Sequence, residues 1–161
     1  MNLPALILSF SLLLVAITLH EFAHAWTAYK FGDQTARLSG RLTLNPLAHI
    51  DPVGTVIIPL LFFFSTGGRF VFGAAKPVPI DYGMLKNPAR DVIFIGASGP
   101  LVNIAAACVS AAVIRLIPQG TLFSLLLAHF LMINLVLGIF NLIPLPPLDG
   151  SRVLAGFLPP A

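Results

Sequence analysis

Cysteine, glutamate and charge are all scarce in this sequence. A single cysteine, Cys108, in 161 residues rules out an internal disulfide and any multi-thiolate metal site, so a bound metal would need His and carboxylate ligands. Charged residues make up 9% of the chain against 57% hydrophobic ones, with a mean hydropathy of +0.94. That balance excludes an ordinary water-soluble domain and puts the chain in a lipid bilayer. The net charge of +3 comes from nine Lys and Arg spread over short connections, which form no nucleic-acid patch. The first apolar run lacks a basic n-region and a cleavage site, so it reads as a retained helix rather than a signal peptide. No internal repeat or low-complexity tract divides the chain, and residues 1–161 are expected to form one domain.

Four apolar stretches carry the organisation: residues 3–26, 53–64, 92–117 and 122–143. The first, third and fourth reach the roughly 20 residues a helix needs to cross a bilayer. The second is shorter, starts at Asp51-Pro52 with an N-cap and a first-turn proline, contains Pro59 and ends at Gly67-Gly68. It reads as a re-entrant or interfacial segment. Charge supports that reading. If 53–64 does not cross, Lys30, Arg37, Arg41, Arg69, Lys76, Lys86, Arg90 and Arg152 share one side and only Arg115 faces the other. By the positive-inside rule the crowded side is cytoplasmic; a crossing segment would spoil the bias. Residues 36–44 and 69–80, with Gly, β-branched and aromatic residues, predict small surface β elements. The expected fold is thus an all-α polytopic membrane protein with three core transmembrane helices, one short apolar segment and small surface β elements.

Chemistry concentrates at His20-Glu21-Phe22-Ala23-His24, near the end of the first span. Residues four apart share a helix face, so both imidazoles can bind one metal ion with Glu21 beside it as a general base. Glu21 is the only glutamate in the chain, and ionisable groups at membrane depth are costly unless they serve a function. A third ligand is needed, with a position left open for water. Asp149 is the candidate: Pro144, Pro146 and Pro147 break the chain ahead of it and Gly150 relieves the backbone after it. Taken alone, Asp149 reads better as the N-cap of a helix over residues 150–157. The non-crossing topology favours the ligand role, because it returns Asp149 to the side of His20 and His24. Gly96, Ala97 and Gly99 permit close helix approach, and Asn103 places an amide in an apolar setting. That amide could stabilise an oxyanion or make an interhelical hydrogen bond. His49 and Asp51 read as a surface histidine beside an N-cap, and His129 and Asn134 as interhelical contacts.

Three motifs, His20-Glu21-x-x-His24, Gly99-Pro100-x-x-Asn103 and Asn141-x-x-Pro144-x-Pro146-x-x-Asp149-Gly150, occur in this order across nearly the whole chain. In these the sequence resembles the site-2 protease family of intramembrane metalloproteases, in the compact bacterial form without a PDZ domain. The resemblance implies one zinc ion held by His20, His24 and Asp149, Glu21 as general base, and Asn103 steadying the reacting carbonyl. It also implies cleavage of membrane-spanning protein substrates by a multi-pass protein of the plasma membrane, with the active site toward the cytoplasm. A metal transporter and a zinc-bearing scaffold are the competing readings. Transport is disfavoured because the ligands cluster at one membrane face, and a scaffold because structural zinc usually has four protein ligands.

Overall fold

Long apolar segments wind into helices in lipid because the backbone has no water to bond and must satisfy itself internally. The computed structural model describes residues 3–66 and 76–158. Its long helices are α1 (Leu3–Lys30), α4 (Pro88–Ile114) and α5 (Leu122–Asn141); the spans Leu6–Lys30, Pro88–Ile114 and Leu122–Asn141 are long and apolar enough to cross a membrane. Three shorter helices complete the set: α2 (Thr35–Leu38), α3 (Ile58–Ser65) and α6 (Asp149–Phe157).

The side-chain pairings fix the directions of the helices. His20 meets Asn103 and His24 meets the Ile95 carbonyl, so α1 and α4 run antiparallel. Asn134 pairs with Asn103, and Gly138 lies against Pro100 and Ile104, so α5 is antiparallel to α4 as well. His129 and Ser9, 3.0 Å apart, tie α5 to α1 near the opposite end, an interhelical contact as expected. Short α6 folds back along α4 at two glycines. A Cβ on Gly96 would stand 3.1 Å from the Asp149 carbonyl, and one on Gly156 2.7 Å from that of Ala89. Small residues thus set the helix approach where lipid supplies no hydrophobic drive between helices.

The connection between α1 and α4 begins and ends at the same end of the bundle. Lys86 donates its N–H to the Phe31 carbonyl at 3.3 Å, and the buried Asp33 carboxylate accepts from the N–H groups of Thr35 and Asp81 at 2.8 and 2.9 Å. Within it, Asp51 caps Pro52–Ile57, a π-helical turn leading into α3. Pro59 has no N–H for the Thr55 carbonyl, so an unbroken α pattern cannot run through this segment. At 14 residues, Pro52–Ser65 is too short to span a membrane.

The expected surface β elements are not there: no strand occurs among the described residues. Residues 36–44 instead form α2 and turns, because the Asp33 side chain starts a helical turn at Thr35 and Gly40, at φ +69°, closes it. Arg41 and Leu42 both donate N–H to the Ala36 carbonyl, which uses the backbone groups a strand would need. Of residues 69–80, 69–75 lie outside the described residues, and 76–80 form neither helix nor strand. His49 is also not at the surface. It is fully buried in a 3₁₀ turn, Pro46–His49, with Nε2 2.9 Å from the Thr43 carbonyl.

Candidate metal centre

α1 stays helical through His20-Glu21-Phe22-Ala23-His24, and the spacing of four stacks both imidazoles on one face, their centroids 4.6 Å apart. Three prolines in residues 144–147 end the helical run after α5 and let the chain turn back into α6. Asp149 is the first residue of α6 and its side chain caps nothing; it points at the histidines. His20 Nε2, His24 Nε2 and Asp149 Oδ2 form a triangle with sides of 2.9, 3.0 and 3.1 Å. All three residues are buried. They form the metal-capable group of His, Asp, Glu or Cys found among the described residues.

Acceptor oxygens behind the rings decide which ring nitrogens face the centre. His24 Nδ1 lies 2.6 Å from the Ile95 carbonyl, which can only accept, so Nδ1 carries the proton and Nε2 presents a lone pair. His20 Nδ1 lies 2.6 Å from Asn103 Oδ1 and is a donor by the same reasoning. The Arg152 guanidinium, 3.1 Å from Asp149 Oδ1, favours the anionic form of this carboxylate. Three lone pairs aimed at one point repel unless a cation lies between them. The triangle's sides come close to the roughly 3.3 Å edge of a tetrahedron with bonds of about 2.0 Å, the zinc geometry for N and O ligands. The donor set therefore fits zinc.

The family model for peptidase family M50 matches residues 8–124 and 115–160, which covers the helix bearing both histidines and the segment bearing Asp149. The chain belongs to this family. A candidate zinc metalloprotease of Bacillus subtilis, YwhC, is 40% identical over 157 residues, covering 92% of this chain and 68% of the relative. Rip2 of Mycobacterium tuberculosis, a candidate zinc metalloprotease too, is 35% identical over 149 residues, covering 91% of this chain and 56% of Rip2. A zinc metalloprotease of Methanocaldococcus jannaschii is 30% identical over 149 residues, 92% of this chain and 34% of that protein. The chain thus spans about two thirds of the first of these and little more than half of the second. No solved structure gives a significant match. Membership of this metalloprotease family makes the chain a zinc metalloprotease and zinc its cofactor.

In this M50 peptidase, Glu21 lines a cavity of about 440 Å³ together with the three candidate ligands. Its Oε2 accepts the Val78 N–H at 3.0 Å. Pro77 and Pro79 have no N–H, so the Val78 amide is the single donor that Pro77-Val78-Pro79 can offer. Ile17, Ile80, Leu137, Phe140 and Leu148 supply apolar walls. Asn103 does not line this cavity: it is fully buried behind His20, and its amide N–H groups go to Asn134 Oδ1 at 2.7 Å and the Ala16 carbonyl at 3.2 Å.

Two neighbours went unnoticed in the sequence. Arg152 donates to Asp149 Oδ1 at 3.1 Å, leaving Oδ2 to the histidines; the i,i+3 spacing from Asp149 was the available signal. Gly99 faces the imidazoles with bare backbone, and a Cβ there would lie 2.7 Å from His20 Nε2 and closer still to His24 Nε2. Its small size was read as helix packing, and the sequence held no sign that it borders the ligands.

Proposed function

We propose that this protein is an intramembrane endopeptidase that hydrolyses peptide bonds of membrane-spanning proteins near the cytoplasmic face of the plasma membrane. The observation carrying this reading is depth. His24 and His20 lie six and ten residues inside the Lys30 end of α1, about 9 and 15 Å along a helix otherwise suited to lipid. A water-soluble substrate would not reach a site at that level as readily as one already in the bilayer. The eight basic residues on one side, opposite Arg115, support a cytoplasmic orientation.

His20, His24 and Asp149 are the residues that would hold zinc. When bound, zinc supplies Lewis acidity, which makes water acidic enough to lose a proton near neutral pH. Glu21, steadied by the Val78 N–H, takes that proton as the water oxygen bonds to the scissile carbonyl carbon. The C–N bond then breaks, and Glu21 returns the proton to the leaving amine. The segment at Pro77, Val78 and Ile80, which lines the cavity, offers a surface along which an unwound stretch of substrate can lie.

The test is purification in detergent, zinc quantification, and incubation of wild type and Glu21→Gln with single-span membrane substrates and with soluble peptides. Zinc is expected in both proteins, and cleavage of the membrane substrates to fall by about 10² to 10⁴-fold in the variant. Cleavage of soluble peptides alone would overturn the intramembrane reading. Orientation is tested by labelling Ser39→Cys and Gln119→Cys in a Cys108→Ser background. Labelling of position 39 from outside the cell would reverse the proposed topology.

A further inference from the structure

Asn103 and Asn134 are both fully buried in the helix bundle, on α4 and α5 respectively. Buried amides must be satisfied, and each of these is. Asn103 accepts from His20 Nδ1 at 2.6 Å and donates to Asn134 Oδ1 at 2.7 Å and to the Ala16 carbonyl at 3.2 Å. Asn134 donates its own N–H to the Phe130 carbonyl at 2.9 Å. The two backbone carbonyls only accept, so they settle both amide orientations: rotating either side chain by 180° would set oxygen against oxygen. With the amides fixed, Asn103 Oδ1 faces His20, and His20 must keep its proton on Nδ1.

We propose that Asn103 and Asn134 are positioning residues that hold His20 in the metal-binding tautomer and orientation, and that Asn103 acts through His20 rather than by donating to the reacting carbonyl. Both of its N–H groups are engaged on the far side of the imidazole from the cavity, so neither is available to an oxyanion. The two histidines reach the same result differently. His24 is set directly by a carbonyl of the neighbouring helix, whereas His20 is set through two side chains anchored on α1 and α5. Such outer partners raise the basicity of a metal-binding imidazole and keep its ring in place, and their loss costs 10- to 100-fold in metal affinity in other zinc proteins.

The inference rests on zinc binding by His20, His24 and Asp149, and it is tested on zinc affinity by chelator competition, with the absorption spectrum of the cobalt-loaded protein as a second readout. Asn103→Leu removes the acceptor for Nδ1–H and is expected to weaken zinc by about 10- to 100-fold. Asn103→Asp keeps an acceptor oxygen but has no amide N–H. With its second oxygen set against Asn134 Oδ1 and the Ala16 carbonyl, it is expected to weaken zinc several-fold, less than Asn103→Leu does, with a cobalt spectrum nearer that of wild type. Asn134→Leu, which leaves Asn103 with the Ala16 carbonyl alone, is expected to weaken zinc several-fold, and it decides the matter if Asn103→Leu does not fold. An oxyanion donor predicts the opposite pattern: unchanged zinc affinity in all three variants and equal losses of kcat in Asn103→Leu and Asn103→Asp. That pattern, or Asn103→Asp binding zinc as weakly as Asn103→Leu, overturns the relay. Failure of wild type to bind zinc would instead refute the metal site itself.

Discussion

The bundle around the metal centre and the Pro52–Ser65 segment are both strongly apolar in sequence, yet their residues are buried in opposite ways. Around the centre the interior is largely polar: Thr18, His20, His24, Asn103, Asn134 and Asp149 are buried, while Leu101, Val109, Leu125, Val136 and Ile139 face outward. In Pro52–Ser65, Val53, Val56, Ile57, Leu60, Leu61, Phe62 and Phe64 are exposed, and the buried residues are Gly54, Thr55 and Pro59. Among the described residues, the element α3 packs on most is the π-helical turn that precedes it. Apolar side chains do not draw helices together in lipid, which is as apolar as they are; small and polar residues do. The bundle has these residues at helical spacing on three long helices. The short segment buries them only in its first half.

The comparison is broken most severely by adding one methyl group to the close-packed side. Gly99→Ala places a Cβ among the imidazole nitrogens of His20 and His24, where the Gly99 backbone now leaves room. Zinc affinity is expected to fall on the order of 100-fold, read by chelator competition, since the ligands themselves must shift. Helix content should remain, because Ala favours a helix more than Gly does. Wild-type affinity in this variant would mean that the ligands have slack that the packing does not suggest.

Arg152→Met is a milder break in the same region. It removes the partner of Asp149 Oδ1 and keeps a flexible side chain of similar length. The carboxylate is then free to rotate, and zinc affinity is expected to fall about tenfold in the same assay. An unchanged value would show that α6 alone orients Asp149.

The legible and illegible parts of the site divide along similar lines. The two histidines and Glu21 could be read because helix periodicity acts over four residues. Asp149 could be placed because charge bias and topology return the chain to the same end of the bundle. Asn134, Gly99 and the Val78 amide could not be assigned their partners, because those contacts join residues 31 to 79 positions apart and leave no local pattern. The three long helices followed from length and hydropathy. The surface strands failed because composition alone cannot weigh the Asp33 turn and the left-handed Gly40 that divert residues 36–44. The buried position of His49 depends on the same fold-back, with Arg41 reaching the Ala48 carbonyl across it.

The smallest effect is expected on the lipid-facing side. Leu61 and Phe64 are 63% and 75% exposed and do not line the cavity at the metal centre. Substituting both with Asn should leave zinc affinity within about twofold, as for exposed positions outside any network. On the reading of Pro52–Ser65 as an interfacial segment, the same substitutions remove the apolar surface that seats α3 in the bilayer, each at a cost of roughly 1.5 to 3 kcal/mol in burial. A fluorophore at Ser65→Cys, in a Cys108→Ser background, should therefore move from lipid toward water, read by depth-dependent quenching. Unchanged zinc with a shifted fluorophore would separate the two kinds of apolar segment: one organised by its polar interior, the other by its lipid surface. A parallel loss of zinc would show instead that the short segment braces the bundle, so that its exposed face serves the site as well as the membrane.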